Sequence, residues 1–199
     1  MVSGLVTIGV AIEPDWLTTH WAVSVSMELG RRLPLRFTLG FNRYPPHITL
    51  YQASFRLNPE LLESSLQEIE WWPAYSAAVA GLGVFAESFI FADLQSSPEL
   101  LAMHQSAVRA LVTHRAQDAA PAARQGLVCL STRETENVKQ FGYPFCGDAF
   151  RPHITLGRAS SLVGRGELDA ILAGFPPPRE TTFQRLTLYV GGPDGQCDR

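Results

Sequence analysis

The chain has 199 residues, 46% of them hydrophobic and 18% charged, with a mean hydropathy of +0.02. That balance supports one ordinary globular domain over 1–199 and excludes a disordered tail, a collagen-like chain and a coiled coil. A net charge of −3 and a pI of about 5.9 argue against a general grip on a long nucleic acid, and only one of the 16 basic residues, Lys139, is a lysine.

In chain order, Leu5–Ile12 is an apolar, β-branched run that predicts a strand ended by Glu13-Pro14. Asp15 is a helix cap, and the helix to Leu33 carries Trp16, His20, Val23 and Met27 at helical spacing before Pro34. An extended stretch at Phe37–Phe41, a turn over 42–46 and a strand at His47–Phe55 follow. Asn58-Pro59-Glu60 opens a helix expected to reach Trp71. Tyr75–Leu82 and Ser88–Leu94 read as an antiparallel pair, and Ser97-Pro98-Glu99 opens a helix running from Leu100 to His114. A solvent-facing connector over 116–126, a strand at Leu127–Leu130 and a loop at Gln140–Asp148 come next. A strand at Pro152–Gly157, a short helix at Glu167–Ala173, a break at Pro176-Pro177-Pro178 and a strand at Phe183–Val190 complete an α+β order with mainly antiparallel pairing. The four tryptophans (16, 21, 71 and 72) are expected to pack. Cys129, Cys146 and Cys197, an odd count without metal-ligand spacing, read as reduced and structural.

The chemistry lies in an internal repeat. Pro46-His47-Ile48-Thr49-Leu50 recurs as Pro152-His153-Ile154-Thr155-Leu156, about half a chain away and again on a predicted strand. Alternation on a strand puts His47, Thr49 and Tyr51 on one face, and His153 and Thr155 on the corresponding face of the second copy. Two α+β lobes related by a pseudo-twofold axis would bring these faces together across one cleft, with Arg43 and Arg151 at its rim and Tyr143 and Phe145 on a loop able to stack on a base. Two histidines without a carboxylate in either motif suit phosphodiester chemistry. One imidazole accepts a proton from the attacking oxygen and the other donates one to the leaving oxygen, while the threonine hydroxyls bind phosphoryl oxygens. No metal or cofactor is expected. His20, His104 and His114 fall on predicted helices without partners and read as structural or exposed.

Paired His-x-Thr motifs about a hundred residues apart resemble the 2H phosphoesterase superfamily, which includes the 2′,3′-cyclic nucleotide phosphodiesterases and the 2′-5′ RNA ligase family. The resemblance runs from Leu5 to about Val190. It implies a bilobal, pseudo-symmetric α+β fold with the motifs lining a central cleft. His47 and His153 would be catalytic, and Thr49 and Thr155 would bind phosphate. The implied reaction opens a 2′,3′-cyclic phosphate, on a small nucleotide or an RNA terminus, to a 2′-phosphomonoester. The alternatives are a 2′-5′ RNA ligase or 2′-5′ oligonucleotide phosphodiesterase, and a non-catalytic nucleotide-binding module. The start of the chain lacks a signal-peptide pattern and no apolar run nears the roughly 20 residues of a membrane span. A cytoplasmic monomer, bound neither to a membrane nor to long nucleic acid, is therefore the expectation. Within the superfamily the chain is similar to the plant- and fungal-type cyclic phosphodiesterases, from which it departs at Gly157, where several of those enzymes carry an aromatic.

Overall fold

The apolar run Leu5–Pro14 is the first strand, β1 (Leu5–Pro14), buried throughout Ile8–Ile12: Ile8, Val10 and Ile12 turn into the main core, while Thr7, Gly9 and Glu13 fall on the other face. The computed structural model describes residues 4–56, 58–72, 75–85, 88–117, 130–161 and 164–198. Its further elements are α1 (Trp16–Arg32), β2 (Leu35–Thr38), β3 (Ile48–Arg56), α2 (Pro59–Gln67), β4 (Tyr75–Phe85), β5 (Phe89–Leu94), α3 (Pro98–Leu111), α4 (Thr132–Phe141), β6 (His153–Ala159), α5 (Arg165–Ala173), β7 (Glu180–Gly191) and β8 (Cys197–Asp198).

The strands follow the order β2-β6-β5-β4-β7-β1-β3, with β8 on the far end of β7, and every described pairing is antiparallel. The expected α+β class holds. The strands form one continuous path in which β4 serves two groups of strands. Tyr75–Ala78 pairs with β7, and Val79–Phe85 pairs with β5. The two His-x-Thr strands, β3 and β6, therefore lie on opposite sides of a shared strand.

Caps decide where the helices begin. The Asp15 carboxylate accepts from Thr18 N at 2.8 Å, as the sequence implies, and its second oxygen accepts from Thr182 N at 2.7 Å on β7. Ser97 accepts from Leu100 N with Pro98 at the first helical position. Ser131 and Glu134 form a reciprocal capping box that opens α4, a helix the sequence reading did not assign, and Gly142 at φ 75° closes it. α2 stops at Gln67, short of Trp71, and α3 gives way at Val112–His114 to a single 3-10 turn. The strand expected at 127–130, apart from Leu130, and most of the connector at 116–126 lie outside the described residues, as does Cys129. Cys146 and Cys197 are buried.

The buried stripe of α1 is Thr18, Trp21, Ala22, Val25 and Leu29, rotated from the expected Trp16, His20, Val23 and Met27, of which only Val23 is buried. Trp21 packs and donates Nε1–H to Phe175 O at 3.0 Å, whereas Trp16 is 71% exposed and stacks on Phe41, and Trp72 is also exposed. Position two residues before the buried Thr18 puts Trp16 on the far side of the helix. No described helix is long and apolar enough to cross a membrane. The core beneath the sheet contains Leu29, Ile48, Leu50, Leu100, Met103, Ile154 and Leu156, all fully buried, each contributing about 2 kcal/mol of transfer free energy.

Asp15 joins the start of α1 to β7, so Asp15→Ala removes a cap and an inter-element hydrogen bond together. A loss of about 2 kcal/mol is expected in urea unfolding. A midpoint equal to that of the parent chain would remove this link from the account.

Candidate active site

Each His-x-Thr segment carries a β-bulge at the same place. On β3, Thr49 pairs with Ala11 and Tyr51 with Val10, leaving Leu50 as the extra residue. On β6, Thr155 pairs with Phe91 and Gly157 with Ile90, leaving Leu156 as the extra residue. A bulge advances the side-chain alternation by one position. Leu50 and Tyr51 are consequently both buried, and Gln52 takes the exposed side that simple alternation assigns to Tyr51. Tyr51 is thus no groove residue. It is fully buried, and its hydroxyl donates to Phe141 O at 2.6 Å.

The two histidines are oriented alike. His47 Nδ1 donates to Pro45 O at 2.9 Å, and His153 Nδ1 donates to Arg151 O at 2.7 Å. In both cases the accepting carbonyl belongs to the amide whose nitrogen is the repeat's proline. Proline biases the preceding residue toward extended backbone, which turns that carbonyl to the following histidine. A carbonyl only accepts, so Nδ1 holds the proton in the neutral ring and Nε2 is the nitrogen that titrates.

A cleft of about 680 Å³, counting its open mouth, runs along this face. Its polar side includes Thr7, Thr49 and Gln52, and its aromatic side includes Phe85, Phe89, Phe91, Tyr143 and Phe145. His153 and Thr155 are on the wall; His47 lies off it, 6% exposed, with its ring 4.9 Å from that of Tyr189. His153 stacks on Phe91 at 4.0 Å and meets the edge of Phe145 at 6.0 Å. Desolvation in this setting pushes the His153 imidazole down to about 4. The Arg151 carbonyl and the Asp93 charge pull upward, while Arg151 and the charge of His47 push further down.

Of the remaining sequence-predicted site residues, Tyr143 and Phe145 line the cleft, on a loop held by Asn137 Nδ2 donating to Pro144 O at 2.9 Å and Cys146 O at 2.8 Å. Arg151 forms a two-pronged ion pair with Asp93 at 2.9 and 2.8 Å. It acts on the site through its carbonyl and its charge. Arg43 is exposed, lies over the Tyr44 ring at 4.7 Å and is not part of the cleft wall. Among the described residues no cluster of three or more histidine, cysteine, aspartate or glutamate side chains could hold a metal ion.

Three contributors escaped the sequence reading. Tyr189, on β7, contacts Thr49 Oγ1 at 2.8 Å and Gln52 Oε1 at 3.0 Å. The alternation of β7 placed it on a face, but only the sheet order brings it beside the first motif. The 192–195 turn closes one end of the cleft, and Asp194 ties it to Arg158 at 2.8 Å and Arg36 at 3.3 Å. His104 is fully buried and stacked on Phe150 at 4.1 Å. Its Nδ1 donates to Leu50 O at 2.6 Å, and its Nε2 accepts from Gly147 N at 3.1 Å. It thereby links the bulge of the first motif to the loop that leads into the second.

The fold has known counterparts. The chain is similar to solved structures of LigT from E. coli: with 3′-AMP bound, identity is 18%, TM-score 0.55, and coverage 95% of this chain and 90% of that one. The complex with NADP+ gives 16%, 0.54, 96% and 90%. A structure described as a phosphoesterase gives 17%, 0.54, 95% and 90%. These likenesses define the fold class. The model of the 2′-5′ RNA ligase superfamily matches residues 27–195, across both motifs, and the chain belongs to that superfamily, within the broader two-histidine phosphoesterase group. No curated protein matches the chain in sequence.

Burial holds His104 below the 6.5 of free imidazole, as it does His153. The unfolded chain therefore binds more protons than the folded one below that value. Stability is full above pH 6.5 and declines as pH falls toward the folded values. Urea midpoints taken from pH 7.5 to 4.5 should fall, and fall less steeply in H104Q; parallel curves for the two proteins would discount the His104 contribution.

Proposed function

We propose that this protein is a metal-independent phosphodiesterase that opens 2′,3′-cyclic phosphates, on nucleotides or RNA ends, to 2′-phosphomonoesters. The observation that carries the reading is the pair of imidazoles anchored alike through Nδ1, each followed two residues later by a threonine on a bulged strand. Membership of a phosphoesterase superfamily and the likeness to a protein that binds 3′-AMP support the substrate class.

In this reaction water attacks phosphorus, its proton passes to Nε2 of one histidine, and the P–O3′ bond breaks. Nε2–H of the other histidine protonates the departing 3′ oxygen. A second proton transfer between the rings and solvent restores the starting state. Thr49 and Thr155 donate to the non-bridging oxygens as their charge grows. The low value of His153 leaves it neutral at ordinary pH and suits it to be the base, with His47 as the acid. The aromatic side of the cleft offers stacking for a base, worth about 1–3 kcal/mol. The negative net charge and the modest cleft favour a mononucleotide or chain terminus, bound by a single copy of the protein, over long RNA.

Purified protein incubated with the four nucleoside 2′,3′-cyclic monophosphates in EDTA should yield 2′-monophosphates, resolved by phosphorus NMR. H47A and H153A should each lose at least about 100-fold in kcat/KM; near-normal turnover in either variant would sink the reading. Release of 2′-5′-linked product from two RNA ends, without hydrolysis, would favour the ligase reaction. With His153 as the base, the acid limb of kcat/KM should lie near pH 4, because activity is lost only as that ring takes up its proton. A limb at pH 6 or above would transfer the base role away from His153.

A further inference from the structure

Three strands place Gln52, Gly9 and Tyr189 in one row: Gln52 of β3 pairs with Gly9 of β1, and Gly9 pairs with Tyr189 of β7. The absence of a side chain at Gly9 lets the Tyr189 ring lie across β1. A Cβ there would stand 2.3 Å from Tyr189 Cζ, a distance that real contacts do not tolerate. Stretched over the glycine, the tyrosine reaches three parts of the first motif. Its ring lies 4.9 Å from that of His47, and its hydroxyl meets Thr49 Oγ1 at 2.8 Å and Gln52 Oε1 at 3.0 Å.

A phenol has a single proton. Donated to Gln52 Oε1, it leaves the Tyr189 oxygen to accept from Thr49. In the free protein the proton direction thus runs from Thr49 to Tyr189 to Gln52; when the Thr49 proton turns to a phosphoryl oxygen, Tyr189 donates to Thr49 instead. Burial raises the phenol well above its ordinary range, so the chain keeps this donor at working pH. With Oε1 engaged, the carboxamide of Gln52 has its Nε2–H₂ end left for the cleft, whose wall it helps to form. Among the described residues nothing accepts from that nitrogen.

We propose that Tyr189, seated over Gly9, is a positioning residue for the first motif, and that the Gln52 carboxamide it orients is a specificity contact donating to an acceptor on the substrate. This inference rests on the phosphodiesterase reading for its substrate. It assigns the polar side of the cleft to an acceptor such as a pyrimidine 2-keto or purine 6-keto oxygen, or a ribose oxygen. Tyr189 touches no reacting atom. It acts by holding the Thr49 hydroxyl and the His47 ring in the positions that phosphate binding and proton transfer need.

The test compares the parent chain, Y189F, Q52A, T49A and Y189F/T49A on nucleoside 2′,3′-cyclic phosphates, alongside ¹⁵N NMR of the histidine rings without substrate. Y189F keeps the ring and removes only the hydroxyl. It should lower kcat about tenfold, the rate equivalent of about 1.4 kcal/mol, at an unchanged unfolding midpoint. In the T49A background the same change should cost little more, because the two act through one contact. Q52A should raise KM about fivefold with kcat near the parent value, and should narrow the preference among the four bases. Parent-like kinetics in Y189F, or its full cost persisting in T49A, overturns the positioning role. An unchanged KM and base preference in Q52A overturns the specificity role. If the parent chain turns over none of the substrates, it is the phosphodiesterase reading that fails. The NMR then decides the positioning, since His47 ring signals should move in Y189F and identical spectra overturn it. If Y189F does not fold, G9A, which displaces the ring, replaces it in the same comparisons.

Discussion

Both imidazoles depend on one contact, the hydrogen bond from Nδ1 to the carbonyl two residues upstream. That bond sets the tautomer and leaves Nε2 as the titrating nitrogen. The bond in turn depends on the proline between donor and acceptor residues, which holds the preceding residue extended. Pro46 and Pro152 are therefore as much a part of the repeat as the histidines. The bulge three residues after each histidine completes the unit. It ends the polar alternation after the threonine: on β3 it turns Tyr51 into the core beside Leu50, and both are fully buried. Attachment to the core on this side adds to the contacts that Phe91, Phe145 and Tyr189 make with the two rings.

Much of this was legible in the sequence because it is local. The repeat, the strand under each copy, the caps at Asp15 and Ser97 and the antiparallel β4–β5 pair all depend on residues close together in the chain. The errors fall where a distant partner or an irregularity decides. Tyr51 was misplaced because period-2 reasoning has no means of seeing a bulge, which exists only in the pairing with β1. The stripe on α1 was rotated because Trp16 and Met27 have helical spacing and apolar character, yet the sheet accepts the face of Trp21, Val25 and Leu29. α4 was missed although Ser131 and Glu134 carry the capping-box spacing, since only Val138 supplies a buried apolar side chain within it.

The pairing also explains how residues far apart in sequence meet at one cleft. β4 exchanges partners partway along, from β7 to β5, so the strands on its two sides share a single hydrogen-bonded path. At the other end, Asp194 binds Arg36 of β2 and Arg158 of β6 while sitting in the turn that follows β7. His104 adds a third tie, from the Leu50 carbonyl to the backbone of Gly147. These three connections cross between the two motif-bearing strand groups.

Identical pentapeptides nevertheless do not produce identical imidazoles. The neighbour of His153 is Phe91, stacked at 4.0 Å, with Phe145 at its edge; neither offers a hydrogen bond, and the cationic ring is disfavoured. The neighbour of His47 is Tyr189, whose hydroxyl belongs to a polar chain with Thr49 and Gln52. A reaction needing one base and one acid requires such a difference, because two equivalent rings would compete for the same proton. The repeat supplies the geometry twice. The strands flanking it, an aromatic β5 on one side and a glycine-spaced β1 under a tyrosine of β7 on the other, give the two copies different surroundings.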